Sequence, residues 1–154
     1  MLNVALCAFE GVDLLDIAGP LQVFSSASDL GRGTDPKYRV SVISMSGMGI
    51  RTSSGLLIST TLAQQALAEG IDTLLVAGGD GATKAAKDKA LLHWLQTNRS
   101  TFRRIGATSS GTFVLAAAGV LDGHRATTHW ASVNDLQQGH PDVRSAARRL
   151  RAER

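Results

Sequence analysis

The 154-residue chain is 44% hydrophobic and 19% charged, the composition of one globular domain with a single core, and a second folded domain has no room. Its net charge of +3 sits at the C-terminus, where residues 143–154 hold five arginines and one glutamate; everything before that stretch sums to −1, so no basic face for nucleic acid is expected on the folded body. No apolar run approaches the ~20 residues needed to span a bilayer, no Lys or Arg precedes Arg32 to build a signal peptide, and the single cysteine, Cys7, excludes an internal disulfide and a cysteine-rich metal site.

In chain order, Leu2 to Phe9 is a short apolar run that ends at the turn signal Glu10-Gly11 and predicts a first, fully buried central strand. Cys7 within it reads as a buried, inert thiol. Leu14, Leu15, Ile17 and Ala18, then Leu21, Val23 and Phe24, recur at helical spacing; a proline tolerable only in a first turn predicts two abutting helical pieces that break near Gly19-Pro20. After a Gly- and Asp-rich loop from Asp29 to Pro36, the β-branched segment Tyr38 to Met45 predicts a second strand, and Ile50 to Thr52 with Leu56 to Ser59 a small hairpin. Asp72 to Ala77 is a further buried strand, followed by Gly78-Gly79-Asp80-Gly81 and a long helix from Lys84 to about Asn98, with Ala86, Ala90, Leu91, Trp94 and Leu95 facing inward. Arg104 to Thr108 predicts another strand, and Gly111 to Val120 an Ala-rich helix.

Strands alternating with helices argue a three-layer α/β/α sandwich around a mostly parallel sheet. Ligands of such sheets sit outside the carboxyl ends of the strands, which selects Glu10 to Asp16, Gly78 to Gly81 and Thr108 to Gly111. Ser109 lies between a predicted strand and a predicted helix, the placement of a nucleophile elbow, with helix N-terminal amides close by; the bland alternative is that Ser109 or Ser110 caps the helix. Gly78 and Gly79 let the backbone approach a ligand closely, or simply make a tight βα turn. They fit neither the dinucleotide nor the Walker fingerprint, so no cofactor is expected. His129 is read at a strand end in Thr127-Thr128-His129-Trp130, as a partner of Ser109 or a structural histidine. Asp16, flanked by Leu15 and Ile17, needs solvent or a donor, and capping near Gly19-Pro20 would supply the simplest one.

Three blocks, Gly11-Val12-Asp13-Leu14-Leu15-Asp16-Ile17-Ala18-Gly19-Pro20, Val76-Ala77-Gly78-Gly79, and Ser109 to Gly123 continuing to Thr127-Thr128-His129-Trp130, resemble the PfpI/ThiJ superfamily of class I glutamine-amidotransferase-like domains. The likeness is strongest to its GlxA-type branch, in which such a domain precedes an AraC-type helix-turn-helix domain, and it extends to isocyanide-hydratase-like enzymes. The resemblance implies a flavodoxin-like sheet. In enzymatic relatives it implies an elbow cysteine hydrogen-bonded to an acid of the first βα loop, so that Ser109 stands at the cysteine position and Asp16 at the acid position. Gly79 and Ser110 would supply oxyanion amides, Gly78 and Thr128 would flank the ligand, and the family histidine falls on His129, 20 residues after Ser109. Serine needs a well-placed general base where cysteine does not, and Asp16 alone is a poor one, so cysteine-dependent chemistry is not expected.

The likeness runs from about Leu2 to Val143, giving a domain at 1–143 and an Arg-rich tail at 144–154, with the family's terminal strand and helix expected to be missing. Val143, Ala146, Ala147 and Leu150 recur at helical spacing, so the tail predicts a basic amphipathic helix. The resemblance implies a homodimeric sensor of a small molecule, and its end after Val143 leads to the expectation of a chain truncated before its DNA-binding domain; the missing signal peptide points to the cytoplasm, and no metal, no membrane contact and no specific DNA binding by this fragment are expected. The alternatives are a hydrolase or hydratase using Ser109, and a degenerate product with an exposed sheet edge.

Overall fold

The computed structural model describes residues 1–30 and 37–145. Strand β1 (Leu2–Cys7) lies at the centre of a five-stranded parallel sheet. On one side it pairs with β2 (Tyr38–Ser44), Leu2 opposite Tyr38 and Cys7 opposite Ile43; on the other it pairs with β6 (Thr73–Val76), Val4 opposite Thr73 and Cys7 opposite Val76. The two-residue β5 (Thr61–Leu62) extends β2 at one edge, and β7 (Arg104–Ala107) extends β6 at the other. β3 (Ile50–Arg51) and β4 (Leu57–Ile58) form the expected antiparallel hairpin outside the sheet.

Successive β1 side chains enter different cores, which is why the strand reads as an unbroken apolar run. Ala5 and Cys7 join Leu74, Val76, Leu91, Trp94, Leu95, Val114 and Leu115 on one face, whereas Val4 and Leu6 join Ile17 and Ile50 on the other. Helices cover both faces, so the three-layer, flavodoxin-like architecture read from the sequence is the observed one.

Two helical readings need correction. Leu14 to Asp29 is one 16-residue helix, α1, with Pro20 inside it. Pro20 leaves the Asp16 carbonyl without its usual donor, yet Ile17 before it and Phe24 after it pack into the same apolar cluster, which holds both halves on one axis. Gly19 precedes the proline, and glycine is the residue that best tolerates the crowding a following proline imposes. Conversely, the long helix expected over 84–98 is two pieces, α3 (Ala82–Ala85) and α4 (Lys89–Asn98). Asp88 divides them: its backbone is extended, and its carboxylate accepts from Ala90 N at 2.9 Å and Leu91 N at 3.2 Å as the N-cap of α4. The break turns Ala90 outward while Leu91, Trp94 and Leu95 stay buried.

Helix α2 (Ala63–Glu69), where Ala63, Ala66 and Leu67 recur at helical spacing, was not anticipated. The Ala-rich helix is α5 (Gly111–Ala117), shorter than expected. Beyond it, β8 (Arg125–Ala126) pairs in parallel with β9 (Arg144–Ser145), enclosing a 3-10 turn at Trp130–Ser132 and α6 (Val133–Gly139). Arg144 and Ser145, expected to open the tail, therefore lie in a strand; the helical tail itself falls on 146–154, outside the described residues, as does most of the loop before Tyr38. Among the described residues, no helix is long and apolar enough to cross a membrane.

Candidate active site

The strand ends β1, β6 and β7 point the same way, and the three loops selected from the sequence converge there. After β7 the chain reverses into α5 across three residues, Thr108 to Ser110. Ser109, with φ 46°, is the one non-glycine residue in the left-handed region among the described residues. For an L-residue that conformation costs roughly 1–2 kcal/mol. Contacts on the Ser109 carbonyl oppose the strain: it accepts from Thr112 Oγ1 at 3.1 Å and from Thr128 Oγ1 at 3.0 Å.

Neither serine caps α5. Ser110 occupies the N-cap position but makes no side-chain cap bond; its Oγ accepts from Gly79 N at 2.9 Å and lies 3.2 Å from Gly79 O. The Gly79 amide expected to serve an oxyanion is thus engaged by the Ser110 hydroxyl, whereas Ser110 N has no acceptor among the described residues. Since α5 is seven residues long, its dipole adds little to that amide.

Asp16 is likewise not a cap. It sits in the first turn of α1, and its Oδ2 accepts from Gly78 N at 2.8 Å, tying the first βα loop to the end of β6. Gly78 permits this approach, because a Cβ there would lie 2.5 Å from Asp16 Oδ2 and 2.9 Å from Ser110 N. Gly79 has φ 133° and stands against Asp13, whose N donates to Gly78 O at 2.9 Å; a Cβ on Gly79 would be 2.4 Å from Asp13 N.

His129 is not at a strand end, since β8 stops at Ala126. It caps the 3-10 turn, its Nδ1 accepting from Ala131 N at 3.3 Å while the ring packs against Trp130 at 5.2 Å between centroids. The Ala131 contact occupies the Nδ1 acceptor. Cys7 is fully buried, and desolvation pushes its thiol up to about 12, which removes the thiolate at neutral pH.

Ser109, Ser110, Gly79 and His129 line one cavity of about 750 Å³. Asp16, Gly78 and Thr128 stand behind its wall: Asp16 and Gly78 support the β6 end, and Thr128 holds the Ser109 carbonyl. Sequence reasoning did not single out Asp13, Asp80, Phe113, Asp135 and His140, which also line the cavity. Phe113 is the third residue of α5, close after the elbow in sequence, and that nearness could have pointed to it. Asp13 is held by Ser53, whose hydroxyl donates to Oδ1 at 2.5 Å. A second cavity of about 420 Å³, beside Phe9, Glu10 and Lys84, does not reach Ser109. Among the described residues, no group of three His, Cys, Asp or Glu side chains is arranged to hold a metal.

A parallel α/β/α sandwich with a strained residue between a strand and a helix at its carboxyl edge defines a flavodoxin-like domain built around an elbow. The chain belongs to the DJ-1/PfpI family, whose pattern matches residues 2–146. It is 36% identical over 139 residues to the uncharacterized protein in the cpoL 5' region of Streptomyces lividans, covering 90% of this chain and 95% of that one. It is 34% identical over 106 residues to the HTH-type transcriptional regulator CdhR of Pseudomonas aeruginosa, covering 69% and 31%. Over 130 residues it is 30% identical to the isonitrile hydratase of Pseudomonas putida, covering 84% and 53%. The crystal structure of a ThiJ/PfpI family protein from Pseudomonas syringae superposes with a TM-score of 0.79 at 27% identity, covering 97% of this chain and 58% of that one. The chain thus spans about a third of the curated regulator and half of the curated hydratase.

Proposed function

We propose that this domain senses a small metabolite bearing an amide, amine or carboxylate, as the GlxA-type input unit of an AraC-type transcriptional regulator. The observation that carries the reading is that, among the described residues, neither Asp16 nor His129 makes a hydrogen bond to the Ser109 hydroxyl. Asp16 is committed to Gly78 N, and His129 has its accepting nitrogen on Ala131 N. A cavity that keeps polar groups without an activated nucleophile is suited to binding rather than turnover. Similarity to the CdhR regulator supports the same reading. A thermal-shift screen against a metabolite library tests it: a ligand raises the melting temperature of the wild type, and less so that of Asp16→Ala, in which the β6 end loses its support. No hit from any amide, amine or carboxylate class at millimolar concentration removes the proposal.

The proposal includes a cytoplasmic homodimer, checked by sedimentation and cell fractionation. DNA recognition then belongs to another module; tight, sequence-selective gel shifts by this domain at moderate salt contradict it.

Similarity to isonitrile hydratase favours a second reading, a hydrolase or hydratase using Ser109. A phosphonylating probe that labels the wild type but not Ser109→Ala would establish it; a sensor stays unlabelled.

A further inference from the structure

The Ser109 elbow is fastened directly to the segment that forms the opposite wall of its cavity. Thr112 is one of three buried polar residues among those described, 5% exposed, and its hydroxyl stands 3.1 Å from Ser109 O and 3.0 Å from Thr127 O. One hydroxyl carries one proton, so Thr112 donates fully to the elbow or to the 127–129 loop, not to both. Thr128 Oγ1 reaches back to the same Ser109 carbonyl at 3.0 Å. Two residues on, Trp130 is 83% exposed.

The chain from His124 to Arg144 closes on itself. Gly123 N donates to Asp142 O, Arg144 N donates to His124 O, and β8 pairs with β9. Among the described residues its apolar anchor is small: Leu136 and Val143 with Ala116 of α5, and Phe113 packed against them. Phe113 also faces the cavity, as do Ser132, Asp135 and His140 from this segment. A molecule entering the cavity therefore meets the elbow on one side and the 124–144 segment on the other, with the Thr112 hydroxyl poised between two acceptors.

We propose that Thr112 and Thr128 are positioning residues that pass occupancy at Ser109 to the 124–144 segment, the element leading to the C-terminal end of the domain. This rests on reading the cavity as a ligand site. Thr128 holds the Ser109 carbonyl and Thr112 shares its hydroxyl between that carbonyl and Thr127 O; a filled cavity displaces Phe113 and the 127–129 loop, turns the Thr112 hydroxyl fully to Thr127 O, and re-seats α6.

The experiment needs no ligand. Ser109→Cys places a thiol on the exposed elbow while Cys7 stays buried, and one equivalent of N-ethylmaleimide then fills the cavity at a known position. Hydrogen exchange of the α6 amides is compared between adducted and unadducted protein, with the Ser109→Cys change carried in the otherwise wild-type chain, in Thr112→Val, in Thr128→Val and in Thr112→Ser. Adduct formation slows α6 exchange by about threefold or more in the otherwise wild-type chain and in Thr112→Ser, which retains the hydroxyl, and leaves it unchanged in Thr112→Val and Thr128→Val. A merely structural threonine would raise basal exchange without abolishing the response. If one valine variant fails to fold, the other carries the test. An equal response in all four chains, or none in the wild-type background, overturns the coupling. A metabolite that raises the melting temperature while the adduct leaves α6 unmoved would preserve the sensor reading and sink only this inference.

Discussion

The central sheet and the 124–144 segment bury their apolar residues by different means. Leu6 and Leu74 lie on paired strands, Ile43 joins them from β2, and each is at most 1% exposed with helices on both faces. Leu136 and Val143 are equally inaccessible, yet among the described residues their cluster holds just three buried members, and it meets the rest of the molecule through α5. The cavity lies at the seam. One wall, the ends of β6 and β7, is fixed by a large core able to sustain a strained Ser109; the other is fixed by a small core and a few threonine hydroxyls. A strained conformation persists where surrounding structure over-determines it, and response to a ligand comes from the less anchored side.

Core truncations separate the two regions most sharply. Leu74→Ala should destabilise the whole domain by about 3–5 kcal/mol, read as a single shifted transition in urea. Leu136→Ala should cost about 2–3 kcal/mol and raise exchange mainly in α6 while the β1, β6 and β7 amides stay protected. Equal loss of protection in the sheet would show that the two regions fold as one unit. At the seam, Gly78→Ala forces a methyl against Asp16 Oδ2 and Ser110 N, and a loss of about 2 kcal/mol is expected. Asp16→Ala, which leaves Gly78 N without its acceptor, should cost about 1–3 kcal/mol; additivity in the double variant would deny that the two residues act through one contact.

Ser109→Gly has the smallest expected effect on stability and the opposite sign. Glycine adopts φ 46° without the Cβ penalty, so relief of strain should outweigh the added freedom of the unfolded chain and raise stability by about 0.5 kcal/mol, seen as a slightly higher melting temperature. A drop would mean that the Ser109 side chain makes a stabilising contact. Cys7 sharpens the comparison chemically: its raised pKa and complete burial predict no reaction with a thiol reagent at pH 8 until the sheet opens. Thiol labelling then reports on unfolding of the body and is insensitive to motion of α6.

Much of the candidate site's placement was legible because its carriers are local. Ser109 between strand and helix, Gly78-Gly79 at a strand end and Asp16 in the first βα loop are properties of short segments, and a parallel sheet brings its carboxyl ends together whatever the details. What each group does there was not legible. Whether Ser110 caps its own helix or takes the Gly79 amide, and whether His129 meets Ser109 or Ala131, depends on contacts between residues that sequence spacing leaves open. The Pro20 helix and the Asp88 break fail local rules for the same reason: burial of Ile17 and Phe24 outweighs one lost hydrogen bond, and one well-placed carboxylate is enough to end a periodic run.

The amino-acid sequence alone determined the sandwich, the central place of β1 and the three loops that meet at its edge, because apolar periodicity and turn residues act over a few positions and parallel topology leaves few ways to connect them. The tertiary structure decided which polar atoms pair across that edge, how Ser109 is held in its left-handed conformation, and that a small, separately closed segment walls the cavity. Those outcomes turn on ångström-scale distances between residues far apart in the chain.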